Sequence, residues 1–156
     1  MTNLVFTPFH ANHLETLLDF SRQLHEFGKD EEYLREHPYR LKTSSEAALK
    51  LLDSPQFGGI WLLELDGTCI GHCVLTVGFS LEFAGNDVFL DELFIKEGFR
   101  NQGIGRLAME FVKKQSALYN AKAIHLEVDK ENVHAQKLYE KFGFVDNDRF
   151  LMTAWI

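Results

Sequence analysis

Asp91 and Glu92 stand side by side inside FLDELFI, an otherwise apolar run from Phe89 to Ile95. A carboxylate in apolar surroundings has a raised pKa and can take a proton, directly or through a water. The same pair can instead be structural, held by a nearby arginine or backbone N–H. Eight residues after Ile95 comes Gly103, and Arg100, Gly103 and Gly105 spell R-x-x-G-x-G where a helical pattern begins. Glycines there let a ligand approach the backbone. The first turn of a helix offers unpaired N–H groups and a partial positive charge, which suit a phosphate or pyrophosphate. Arg100 and Arg106 add cationic donors on either side.

Two other readings of the glycines stand beside that one. A short glycine motif often opens a helix with no ligand at all. GIGRLA also fits G-x-G-x-x-A of a dinucleotide fold, with Glu127 at the end of the next strand. In that fold, however, the strand runs almost directly into the first glycine, whereas KEGFRNQ separates Ile95 from Gly103 here.

The elements that must position these groups follow from periodicity and turn signals. Leu4–Phe9 reads as a strand and Asn12 to about Phe27 as a helix with Leu14, Leu17, Leu18, Phe20, Ser21 and Leu24 on one stripe. Thr43 and Glu46 form a T-x-x-E box expected to open a helix ending near Leu52. Ile60–Leu65 and Thr68–Phe79 flank Asp66-Gly67, a strong hairpin signal. Val88–Ile95 is the next strand. Strict alternation there puts Asp91 with Phe89 and Leu93, and Glu92 with Leu90 and Phe94, unless a bulge intervenes. A long helix follows from Gly103 to about Asn120, burying Ile104, Leu107, Ala108, Phe111 and Val112. Lys122–Val128 is a strand, Asn132 caps a helix reaching Phe142, and Phe150–Ile156 reads as a final strand. The order β-α-α-β-β-β-α-β-α-β suggests one domain, 1–156, in which a single mixed sheet is covered by helices.

Composition limits the partners. With 46% hydrophobic residues and 14 Phe, the chain can build a core. A net charge of -7 argues against nucleic acid, whose binding runs on Lys and Arg, and accommodates a cationic substrate better. No apolar run reaches the roughly 20 residues of a membrane span, and the N-terminus carries no export signal. Cys69 and Cys73 sit four apart in a strand, roughly 13 Å at about 3.3 Å per residue, too far for a disulfide. Reduced thiols fit a cytoplasmic setting. No histidine or cysteine spacing matches a metal site. His72 and His125 read as packed or edge residues.

Arg100, Gly103 and Gly105, followed by Asn132, Ala135, Tyr139, Gly143 and Phe144 as N-x-x-A-x-x-x-Y-x-x-x-G-F, make the chain resemble the GNAT superfamily of N-acetyltransferases. The resemblance implies an α/β (α+β) fold, with a mostly antiparallel twisted sheet, a parallel pair at the cofactor cleft, and helices on both faces. It implies an acetyl-CoA-dependent transfer to a primary amine by direct attack in a ternary complex. Asn101, Gln102, Gly103, Ile104, Gly105 and Arg106 would hold the pyrophosphate, with Arg100 beside them. The backbone of Leu93, Phe94 and Ile95 would pair with the pantetheine arm. Asn132 and Ala135 would contact the cofactor, and His134 is a minor candidate. Tyr139 would also be the general acid, while Asp91, and secondarily Glu92, would be the base or a substrate contact. The acceptor is expected to be a small-molecule amine. A protein amino terminus or lysine, or a catalytically silent acyl-CoA-binding module, remain the alternatives. Asp30-Glu31-Glu32 is either a solvated charge run or an attraction for a polyamine or aminoglycoside. Tyr33, Tyr39 and Phe79 are the pocket candidates by position. The resemblance also implies that a homodimer built through Phe150–Ile156 is possible, with the oligomeric state left open.

Overall fold

A computed structural model describes residues 3–156. Its centre is one sheet of five strands: β1 (Leu4–Pro8), β2 (Gly58–Leu65), β3 (Thr68–Ser80), β4 (Gly85–Ile95) and β5 (Ala123–Leu126). They lie side by side in chain order. The first three pairings are antiparallel and β4–β5 is parallel. Helices α1 (Leu14–Glu26), α2 (Glu31–Glu36) and α3 (Leu41–Leu52) precede β2, α4 (Ile104–Leu118) connects β4 to β5, and α5 (Val133–Lys141) follows β5. The mixed, mostly antiparallel sheet with one parallel pair is the architecture that the sequence suggested.

Two apolar layers hold the sheet. On one face, Leu63, Ile70, Leu75, Val88 and Leu90 pack with Ile104, Ala108, Met109 and Val112 of α4. On the other, Leu17 of α1 and Ala48 of α3 pack on Phe9, Ile60 and Val74. Cys73 is wholly buried, and burial pushes its thiol up to about 12, so it is an inert core residue. Asp66 and Gly67 take φ of 49° and 80°, as a tight hairpin with two left-handed residues requires. Gly105 has a packing role: a Cβ there would lie 3.0 Å from Leu138 Cδ2, so its bare backbone lets α5 close on the start of α4.

Three expectations change. The Thr43–Glu46 box does not form, because α3 begins earlier, at Leu41, with Arg40 as an N-cap that makes no side-chain cap bond. Acidic residues 30–32 start the short helix α2, where the Asp30 side chain accepts from the Tyr33 N–H at 2.8 Å. A helix start is a favourable place for negative charge. Residues 150–156 form no strand. The composition FLMTAWI suits a strand, but a strand also needs a paired edge. Here Arg149 reaches Glu82, the Arg40 guanidinium lies 5.1 Å from the centre of the Trp155 ring, and Phe150 stays 91% exposed. Among the described residues no helix is long and apolar enough to cross a membrane.

Candidate active site

β4 carries one residue more than its partner across the middle of the sheet. Val74 faces Glu92 and the next residue, Leu75, faces Leu90, which leaves Asp91 as a bulge. A bulge reverses the facing of everything beyond it. Leu90 therefore packs toward α4, as do Leu93 and Ile95, while Phe94 turns to Phe20 of α1 at 5.4 Å between ring centres. Simple alternation would have put Leu90 and Phe94 together. Asp91 and Glu92 both open into a cavity of about 650 Å³ between α1, α3 and the sheet.

The two carboxylates have opposite surroundings. Glu92 accepts from Ser21 Oγ at 2.8 Å on one oxygen and meets His72 Nε2 at 2.5 Å on the other. Burial alone would raise its pKa, but the bonds from His72 and Ser21, with the fields of His72 and His25, hold it below the usual carboxylate range. Asp91 borders solvent on the cleft side. Loss of hydration pushes its pKa up, and the nearby Glu92 and Glu127 carboxylates push it further. A pair of groups driven apart in this way separates a proton acceptor from a fixed ion.

Beyond Leu90 the sheet splits. β5 pairs with β4 only from Asp87–Ala123 to Leu90–Leu126, so the β5-facing edge of Glu92–Ile95 has no strand partner among the described residues. That open edge leads to the glycine loop. Asn101 and Gly103 take φ of 61° and 81°, and the space where a Gly103 Cβ would stand is empty for 4 Å. Gly103 is the N-cap of α4, without a side-chain cap bond and without an acidic residue in the first turn. The bare amides of that turn fit an anion. Asn101 and Gln102 are exposed there. Ile104 is only 3% exposed, so its side chain serves the core and its backbone alone remains for a ligand.

The arginines are engaged within the protein. Arg100 donates from Nε to the Ile95 carbonyl at 2.8 Å and lies 4.7 Å from the centre of the Phe27 ring. Arg106 pairs with Glu110 one turn along. Asn132 caps α5, its Oδ1 accepting the Ala135 N–H at 3.1 Å, which commits that amide. His134 is exposed in the first turn of the same helix. Tyr139 is half-buried against Phe144. Burial raises its pKa, with no charge or hydrogen bond contributing, so its hydroxyl keeps its proton at neutral pH. Lys29 joins Asp129 at 2.9 Å, tying the end of α1 to the segment after β5.

His72, Ser21 and α3 were not picked out in the sequence as parts of a site. His72 is wholly buried, with Nδ1 unpartnered. Its signal was a histidine inside an apolar strand, which reads equally well as packing. Tyr33, Tyr39 and Phe79 do not line the cavity; Leu17, Leu51, Phe57 and Ile60 do.

The profile of the Acetyltransferase (GNAT) family matches residues 17–144. The chain belongs to this family. The spermine/spermidine N(1)-acetyltransferase of Bacillus subtilis (strain 168) is 36% identical over 61 residues, 38% of this chain, and the chain spans only 40% of that relative's length. An uncharacterized N-acetyltransferase of Archaeoglobus fulgidus is 28% identical over 107 residues, 68% of this chain and 73% of its own. Among solved structures, aminoglycoside N-acetyltransferase AAC(6')-Iy in complex with CoA superposes with a TM-score of 0.73 at 18% identity, covering 99% of this chain and 96% of its own. At that identity the likeness speaks for the GNAT fold alone.

The Glu92 network makes a stability prediction. Glu92→Ala strands His72 and Ser21, at about 1–3 kcal/mol for each buried polar group left unpaired. Because the folded pKa of Glu92 is lowered, its contribution is complete above the unfolded value and vanishes as pH falls through the folded one. Denaturant titrations should therefore show a stability gap that is widest near pH 7 and narrows in acid, where only the cost of the stranded polar groups is left. A gap independent of pH would contradict the network.

Proposed function

We propose that this protein is an acetyl-CoA-dependent N-acetyltransferase acting on a small primary amine. The observation that carries the reading is the split at Asp91. It joins the unpaired edge of Glu92–Ile95 and the open Gly103 loop on one side to the cavity beside Asp91 on the other. Acetyl-CoA, when bound, supplies an activated acetyl thioester. The amides of residues 101–106 fit its pyrophosphate, and the Leu93–Ile95 edge fits an extended arm that adds to the sheet. A backbone N–H of that edge would polarise the carbonyl.

The chain's own groups would then manage two protons. An ammonium in the cavity must lose one before it can attack, and Asp91 is the free carboxylate there. Its raised pKa makes it a stronger base than an ordinary aspartate, while Glu92, held by His72 and Ser21, keeps its charge and its place. Aspartate is short, so a bridging water suits the transfer. Tyr139 holds its proton at Oη and would deliver it to the departing sulfur. Asn132 orders the start of the helix that carries Tyr139. The likeness to a spermine/spermidine acetyltransferase supports an amine acceptor.

Release of free thiol from acetyl-CoA in the presence of amines tests the reading. Tyr139→Phe should lower kcat by roughly 10²-fold or more, the usual scale for a positioned acid, with little change in acetyl-CoA affinity. An unchanged kcat would move the acid elsewhere. For Asp91 the sign is fixed by its role: the carboxylate form works, so kcat/KM rises as pH climbs through the raised pKa. Asp91→Asn should flatten that limb and lower the plateau. A preserved pH profile would leave Asp91 a structural residue.

A further inference from the structure

The charges around the acceptor cavity do not suit a polycation. Two carboxylates line it, but both oxygens of Glu92 are taken by Ser21 and His72. Asp91 is left as the one carboxylate without a partner of its own. Glu127 influences Asp91 electrostatically yet is not part of the cavity wall. The remaining charge in the lining is positive: Lys50, exposed near the end of α3. Most of the wall between them is apolar, including Leu17, Leu51, Ile60 and Val74, with Phe57 exposed just before β2. A second hollow of about 510 Å³, which shares Leu18 with the cavity wall, sets Glu15 and Asp19 against Arg22 and Lys42. Asp19 is already held by Arg22 and Gln23.

We propose that the acceptor is a monoamine with an apolar or aromatic body, its single ammonium at Asp91 and its body against the α1–α3 wall, and that a second cation is rejected. This rests on the acetyltransferase reading and narrows its substrate. A second ammonium would lose water beside Leu51 and Ile60 with no anion to meet it, and Lys50 would repel it. An apolar body gains in the same place by leaving water. The class differs from the one named for the Bacillus subtilis relative, whose aligned segment covers only part of either chain.

A matched pair isolates the second charge. Hexylamine and 1,6-diaminohexane share a six-carbon body and differ by one ammonium; 2-phenylethylamine and spermidine extend the comparison. Free-thiol release with the full chain and acetyl-CoA should give kcat/KM roughly 10–100-fold higher for hexylamine than for the diamine, the scale of one charged group left unpaired. Phenylethylamine should also exceed spermidine. Lys50→Glu, an exposed substitution that leaves the core untouched, should narrow the hexylamine-to-diamine ratio by raising the diamine rate. A diamine or spermidine rate equal to or above the monoamine rate overturns the inference and leaves the acetyltransferase reading standing. An unchanged ratio in Lys50→Glu overturns the part assigned to Lys50. If no amine releases thiol, the reading itself falls and the inference with it.

Discussion

The extra residue in β4 is the constraint on which the site depends. Without it, Leu90, Glu92 and Phe94 would share one face and a carboxylate would have to enter the α4 core. With it, Leu90 stays in that core, and Glu92 and Phe94 turn to α1. The same irregularity lies where β5 stops following β4. One inserted residue thus exposes an unpaired strand edge, opens a path to the helix that starts after Gly103, and leaves Asp91 at the junction of cleft and cavity. Bulges are enriched beside active sites because they re-aim side chains and end pairing.

Adjacent carboxylates would ordinarily raise each other's pKa and compete for one proton. Here the competition is settled by unequal partners. His72 comes from β3 with its ring buried, and Ser21 from the inner face of α1, and both serve Glu92. Glu92 therefore remains charged, and its field adds to the burial that raises Asp91. Burying one paired ion thus tunes its neighbour. The cost of holding His72 and Glu92 so close is met locally by their mutual hydrogen bond.

Much of the fold could be read from the sequence, and the exceptions have physical reasons. Strong local signals survived. Asp66-Gly67 turns the hairpin, Asn132 caps α5, and Gly103 takes a left-handed φ at the start of α4. The Thr43–Glu46 box failed because α3 starts earlier, and residues 150–156 failed as a strand because composition does not supply a paired edge. The Asp91–Glu92 pair was visible as a polar break in an apolar run. Its bulge was not, because facing reverses with a single residue of register and register is set by β3, far away in sequence. His72 and Ser21 were hidden for the same reason: only pairing of β3 with β4, and docking of α1, brings them to Glu92. Gly105 reads as part of an anion loop in sequence, whereas its contact with Leu138 shows that it also admits α5.

The central claim is that the open β4 edge and the Gly103 loop together form an acetyl-CoA site, and calorimetric titration of acetyl-CoA tests it most directly. The wild-type chain should bind saturably. Gly103→Val, which puts a side chain into the open space above the loop at φ 81°, should weaken binding at least about tenfold, equivalent to about 1.4 kcal/mol, while thermal denaturation confirms that the variant is folded. Wild-type affinity in a folded Gly103→Val variant, or no binding to the wild-type chain, would contradict it.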